Sequence, residues 1–134
     1  YKLDLYTGSD TVLLPRANVK GVAKTMTEMP KIFHLSKINL NFTSKPIRTG
    51  LPLRIWDILC AGGFVLSNYQ EEIPEYLEIG KEIETFASEE ELLYKIDYYL
   101  EHEEERKIIA KNGYEKAKEK YSLRERVKEL IRNI

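Results

Sequence analysis

Lys45, Arg48 and Gly50 stand immediately ahead of Pro52 and the apolar run Ile55-Trp56-Asp57-Ile58-Leu59. The first backbone N–H groups of a helix have no intrahelical partner, and the helix dipole adds partial positive charge there. A phosphate is the natural occupant of such a place. Gly50 and its neighbour Thr49 would form the approach, because a residue without a Cβ lets an anion reach the backbone. A plainer role fits the same residues: Lys45 and Arg48 solvated, Gly50 merely turning the chain. Arg54 and Asp57, three apart on a helix, share a face. They suit either a surface ion pair of roughly 0–1 kcal/mol or a divided site. In the divided site Arg54 meets a phosphate and Asp57 accepts from two adjacent hydroxyls, such as those of a ribose.

The other residue types able to do chemistry are sparse. His34 and His102 are the only histidines, and neither has a metal partner in sequence, so both read as structural. Cys60, the single cysteine, excludes an internal disulfide and a Cys-cluster zinc site. Its apolar neighbours predict a small buried thiol. The tyrosines at 94, 98 and 99 suit helix packing better than a base-stacking platform, and Glu101 to Glu105 reads as a solvated helix start.

These residues must be positioned by the surrounding elements. Leu3 and Leu5 alternate with Lys2 and Asp4, a short strand before the turn at residues 7–10. Val12-Leu13-Leu14 runs into Pro15, and a second strand is expected over residues 19–23. Residues 29–35 suit a short helix with Pro30 near its start. Alternation over residues 38–43 predicts a strand ending near Asn41 and Thr43. Pro52 begins a helix running to about Ala61, and Gly62-Gly63 ends it. Phe64-Val65-Leu66-Ser67 is an apolar run of the kind found in strands buried on both faces. A short acidic helix over residues 71–77 and a strand over residues 83–86 follow. Ser88 and Glu91 form a capping box opening a helix to Glu101, with Leu92, Leu93, Ile96, Tyr99 and Leu100 on one face. A further helix spans residues 103–121, and Ser122 with Glu125 caps a last one bearing Val127, Leu130, Ile131 and Ile134. Strands alternating with helices predict an α/β fold: an open, mainly parallel sheet with helices on both faces and a helical C-terminal tail. Ligands of such sheets bind in the crevice beyond the carboxyl ends of the strands.

Composition agrees with a single ordinary domain over residues 1–134, at 43% hydrophobic and 32% charged. With 21 Lys+Arg against 22 Asp+Glu, the net charge of −1 gives no broad phosphate-seeking surface, so no nucleic-acid partner is expected. No stretch approaches the ~20 apolar residues of a membrane span, and no signal-peptide pattern opens the chain, which reads as cytoplasmic. The chain starts at Tyr1 without an initiator Met, which leads us to expect a piece of a longer polypeptide.

The run Pro30-Lys31-Ile32-Phe33, then Ile38-Asn39-Leu40-Asn41, then the stretch from Gly50-Leu51-Pro52-Leu53-Arg54 through Asp57 and Ala61-Gly62-Gly63 to Asn68-Tyr69 resembles the group 1 glycosyltransferases, in their spore-maturation-protein-like branch. Glu105-Arg106, Ile109-Ala110, Asn112-Gly113-Tyr114, Tyr121 and Arg126 are similar to that family's closing helices. The resemblance implies a GT-B architecture of two Rossmann-like domains. The C-terminal one binds a nucleotide-sugar donor, and enzymes of this build usually need no metal or other cofactor. This chain would be that domain. An unknown glycosyl acceptor and a missing N-terminal domain of the same polypeptide would be its partners. By resemblance Asp57 holds the donor ribose, one methylene shorter than the more common glutamate, and Arg54 meets the diphosphate. Thr49 stands where many relatives carry a second glutamate, so the sugar-contacting role lacks an obvious owner. The donor-binding candidates are thus Asn41, Thr43, Arg48, Thr49, Gly50, Arg54 and Asp57, with no catalytic residue assigned.

Two other classes share these features. A phospho-receiver-like signalling domain has the same length and alternation, but needs acids clustered at early strand ends and a later strand-end lysine. A degenerate transferase half acting as an interaction module is consistent with Thr49. Nucleotide titration separates it from a donor-binding domain.

Overall fold

The computed structural model describes residues 2–6, 17–21, 23–24, 27–43, 51–120 and 123–133. The site depends on a three-stranded parallel sheet: β3 (Asn39–Asn41), β4 (Val65–Asn68) and β5 (Glu84–Phe86), in the order β3-β4-β5. The register sets Asn41 beside Ser67, and Ser67 beside Thr85. The strands expected over residues 38–43, 64–67 and 83–86 are therefore present and parallel, each within a residue or two of its predicted bounds. β1 (Leu3–Tyr6) and β2 (Ala17–Gly21) pair in parallel as a separate two-stranded sheet. The second strand starts earlier than the hydrophobic pattern implied and stops at Gly21, whose φ of 82° leaves the extended region. The turn at residues 7–10 and the run 12–15 lie outside the described residues.

Helices cover both faces of the larger sheet because its strands alternate two apolar sets. Val65 and Ile83 face one way, into a core with Ile55, Trp56, Ile58 and Leu59 of α2 (Leu53–Cys60), Phe33 of α1 (Met29–Leu35), Ile73 of α3 (Ile73–Tyr76) and Ala117 of α5 (Glu103–Lys120). Phe64, Leu66 and Phe86 face the other way, against Leu92, Ile96 and Tyr99 of α4 (Glu89–Glu101) and Ile109 of α5. This is the Rossmann-like arrangement the alternation predicted. On α4 the buried stripe is narrower than expected. Leu92, Ile96 and Tyr99 at i, i+4 and i+7 reach the core, while Leu93 and Leu100 lie one position round the helix and are exposed.

Local chemistry sets the helix ends. α2 ends at Ala61, and Gly62 takes up the left-handed exit at φ 78°. At α4 the capping box is complete: Ser88 Oγ accepts the Glu91 N–H (3.1 Å) and Glu91 Oε2 accepts the Ala87 N–H (2.8 Å). α5 can lie against α2 and the turn before β5 because Gly113 has no side chain. A Cβ there would stand 2.5 Å from the Glu82 carbonyl oxygen and 2.6 Å from Leu59 Cδ2. Asn112 reinforces the junction by donating to the Lys81 carbonyl at 3.1 Å.

The chain ends in the expected helical tail, α6 (Leu123–Arg132), whose Val127, Leu130 and Ile131 are exposed. Its proposed cap Ser122, and Ile134, lie outside the described residues.

Candidate functional site

The carboxyl ends of β3 and β4 carry a cluster of polar side chains. Asn41, buried on the last position of β3, donates from its amide to Thr43 Oγ1 (3.0 Å) and to Ser67 Oγ (3.1 Å). Ser67, fully buried on β4, passes the chain on by donating to the Asn68 carbonyl (3.0 Å). Asn68 uses both ends of its amide on the Thr43 backbone: Oδ1 accepts the Thr43 N–H (2.8 Å) and Nδ2 donates to the Thr43 carbonyl (3.1 Å). One side chain thus extends the β3–β4 ladder past the last backbone rung. Gln70 Nε2 completes the set by donating to Thr43 Oγ1 at 2.9 Å.

The consequence for Thr43 is chemical. A hydroxyl has one hydrogen to donate and two lone pairs. Two amide N–H groups, from Asn41 and Gln70, occupy the lone pairs. The hydroxyl hydrogen is left to seek an acceptor outside the cluster, which makes Thr43 a donor aimed at a ligand oxygen. The backbone of Thr43 is held rigidly by Asn68, so that donor is preorganised.

Arg54 and Asp57 lie on the exposed stripe of α2, in its first and second turns. Among the described residues no ion pair joins them; the Arg54 guanidinium instead sits 5.7 Å from the centre of the Phe33 ring on α1. The plain ion-pair reading of these two residues is therefore replaced by a cation–π contact for Arg54 and a solvent-facing carboxylate for Asp57. Arg48, Thr49 and Gly50, with Lys45, lie outside the described residues. The structure brings Asn41 and Thr43 into one hydrogen-bonded unit and places Arg54 and Asp57 on the helix that follows.

Cys60 departs from its expectation. It is exposed on the same side of α2 as Asp57, because the inward stripe is filled by Ile55, Trp56, Ile58 and Leu59. Partial burial pushes its thiol above the usual range, and the Asp57 carboxylate adds to the shift, so it is not an activated nucleophile. His34 donates from Nδ1 to the Ala61 carbonyl (3.0 Å), tying α1 to the end of α2. His102 closes α4 and stacks on Tyr98, ring centres 3.9 Å apart. Both are structural, as their sequence surroundings suggested. Among the described residues no three His, Cys, Asp or Glu side chains converge as a metal site.

Sequence reasoning overlooked Ser67, Asn68 and Gln70 as site residues. Their signal was position: polar side chains closing an apolar strand in a parallel sheet. It also overlooked Glu84, buried on β5, which accepts from Lys95 Nζ (2.9 Å), Tyr99 Oη (2.7 Å) and the Thr85 N–H (3.0 Å). Burial, then the bond to Glu84, pushes the Tyr99 phenol well above its usual value. Burial pulls the Lys95 ammonium down, but its bonds to Glu84 and Glu91 outweigh this and hold it above its ordinary value. This group anchors α4 to β5 and leaves no charge unpaired.

β3, β4 and β5 end on Asn41, Asn68 and Phe86, not on the acids a phospho-receiver requires. A parallel sheet covered on both faces, with a polar crevice at its carboxyl end, defines a Rossmann-like ligand-binding domain. The family described as glycosyl transferase-like matches residues 8–132, and the chain belongs to it. It is accordingly a glycosyltransferase-type domain. No curated protein matches the chain with significant similarity. Among the described residues no helix is long and apolar enough to cross a membrane.

Proposed function

We propose that the chain is the donor-binding domain of a cytoplasmic two-domain glycosyltransferase of GT-B architecture, the C-terminal half, in the spore-maturation-protein-like branch. It holds a nucleoside-diphosphate sugar whose sugar passes to a glycosyl acceptor on the opposite domain. The observation that carries this reading is the Asn41–Thr43–Ser67–Asn68–Gln70 cluster, which leaves the Thr43 hydroxyl hydrogen free at the crevice end of the sheet. The family membership gives that donor a ligand class. Arg48, Thr49, Gly50 and Arg54 take the diphosphate at the start of α2, and Asp57 takes the ribose hydroxyls one turn on. By itself the domain transfers no sugar, because acceptor orientation and a positioned base belong to the other half of the cleft.

Thermal unfolding with a panel of nucleoside diphosphates and the matching nucleosides tests this. A ligand at 100 times its dissociation constant adds ~2.7 kcal/mol of stability, which such a scan resolves. Losing one partner of a charged group costs about 1.5–3 kcal/mol, or roughly ten- to a hundred-fold in affinity. Asp57→Asn should impair binding of diphosphates and nucleosides alike, and Arg54→Ala should impair the diphosphates more. Wild-type binding by both variants would reduce them to surface residues. No stabilisation by any diphosphate would leave the interaction-module reading in its place.

A further inference from the structure

A second feature of the strand ends lies on the α4 side. Asn68, Tyr69, Phe86, Ala87, Ser88 and Glu89 line an open hollow of about 510 Å³, within the size range of small-molecule sites. It sits where β4 and β5 end and α4 begins. Tyr69 is 49% exposed there. Phe42, immediately after β3 and 64% exposed, meets Phe86 edge-on with ring centres 5.5 Å apart. All three parallel strands thus end beside an aromatic ring, and two of those rings stay open to solvent although a packed core lies next to them.

The charges around the hollow select among ligands. No cation lines it among the described residues, and the first turn of α4 carries Glu89, Glu90 and Glu91. The Ala87 and Glu91 N–H groups that an anion would use are already taken by Glu91 and Ser88. A phosphate or carboxylate ligand would meet like charge without free donors. A neutral polyol suits the lining better. The apolar face of a sugar ring packs on an aromatic ring, and a carboxylate such as Glu89 accepts from two adjacent hydroxyls.

We propose that this hollow is a binding site for a free neutral saccharide, separate from the nucleotide. The site is defined by its own residues and does not rest on nucleotide binding near α2. Asn68 joins the two regions, since it lines the hollow and holds the Thr43 backbone.

Amide chemical-shift titration of the 134-residue chain with methyl β-glucoside, cellobiose, maltose, lactose and chitobiose tests the proposal, with glucuronic acid and glucose 1-phosphate as charged comparators. At least one neutral sugar should shift the amides of Asn68, Tyr69, Ala87, Ser88 and Glu89 progressively. Tyr69→Ala should weaken it roughly tenfold, while Tyr69→Phe keeps the ring and the affinity. The charged sugars should bind several-fold more weakly than their neutral counterparts. The proposal is overturned if no neutral sugar moves these amides up to its solubility, if Tyr69→Ala binds as tightly as Tyr69→Phe, or if the charged sugars bind equally well. It is also overturned if these amides respond only to a UDP-sugar, which would make the hollow part of the donor site. The unliganded spectrum of each variant reports its fold independently. Loss of UDP binding alone would count against the donor reading and leave this one standing.

Discussion

Replacing Thr43 by valine removes one oxygen and keeps the shape, so its effect reads directly on the strand-end cluster. Thr43 Oγ1 accepts from Asn41 and from Gln70. Asn41 is buried and keeps only its bond to Ser67 once the hydroxyl is gone. Stranding a buried donor costs about 1–3 kcal/mol. Gln70 is half-buried and can turn to water, so its loss adds little. Thr43 is itself half-buried, and the added methyl returns a fraction of the cost. The net loss should be about 1–2 kcal/mol, or roughly a 3–8 °C fall in Tm for a domain of this size. Thr43→Ser keeps both acceptor lone pairs and should stay within about 0.5 kcal/mol of wild type. The same pair of variants separates stability from binding. Thr43→Val also removes the hydroxyl hydrogen and should weaken a nucleoside diphosphate about tenfold, whereas Thr43→Ser should not. Urea unfolding and UDP titration measure the two effects. A Thr43→Val protein as stable as wild type would show that the two amides do not depend on this oxygen, and the case for its free hydrogen would fall with it.

Two further outcomes follow from packing and protonation. Gly113→Ala gains roughly 1 kcal/mol of helix propensity, but its Cβ would stand 2.5 Å from a backbone oxygen that no rotamer change can move. Overpacking of that kind costs about 1–3 kcal/mol, so the variant should unfold at lower denaturant; a stabilised variant would contradict the close approach of α5. Glu91 is held below its ordinary carboxylate pKa first by the Ala87 N–H, then by Lys95. A depressed folded pKa stabilises above the unfolded value of 4.5 and is lost as pH falls through the folded one. Glu91→Gln should therefore reduce the acid-side loss of stability below about pH 4.5, measured by urea unfolding at stepped pH. Identical slopes would show that Glu91 does not contribute to it.

What the sequence determined by itself is local and periodic. Ile55, Trp56, Ile58 and Leu59 repeat at helical spacing and so define the inner face of α2 before any partner is known. Ser88 and Glu91 stand three apart, the separation at which each reaches the other's backbone, and the capping box forms as written. The apolar run from Phe64 to Ser67, between glycines and a polar loop, is a buried strand wherever it pairs. Order then predicts a parallel sheet with its crevice at the strand ends, and the resemblance to a sugar-transferase family rests on the same ordered runs. The tertiary structure decided which distant side chains share that crevice. Asn41 meets Ser67 across 26 residues and Thr43 meets Asn68 across 25, because the β3–β4 register sets Asn41 beside Ser67. A shift of one residue would turn every side chain of the strand to the opposite face. Neither alternation nor composition carries that register. The same holds for Glu84, an acid inside an apolar strand pattern, which is tolerated only because Lys95 and Tyr99 arrive from α4. It holds for Cys60, exposed because its four apolar neighbours already fill the inward face of α2. Periodicity follows from the geometry of one element, whereas contact depends on how two elements are placed, and only the folded chain sets that placement.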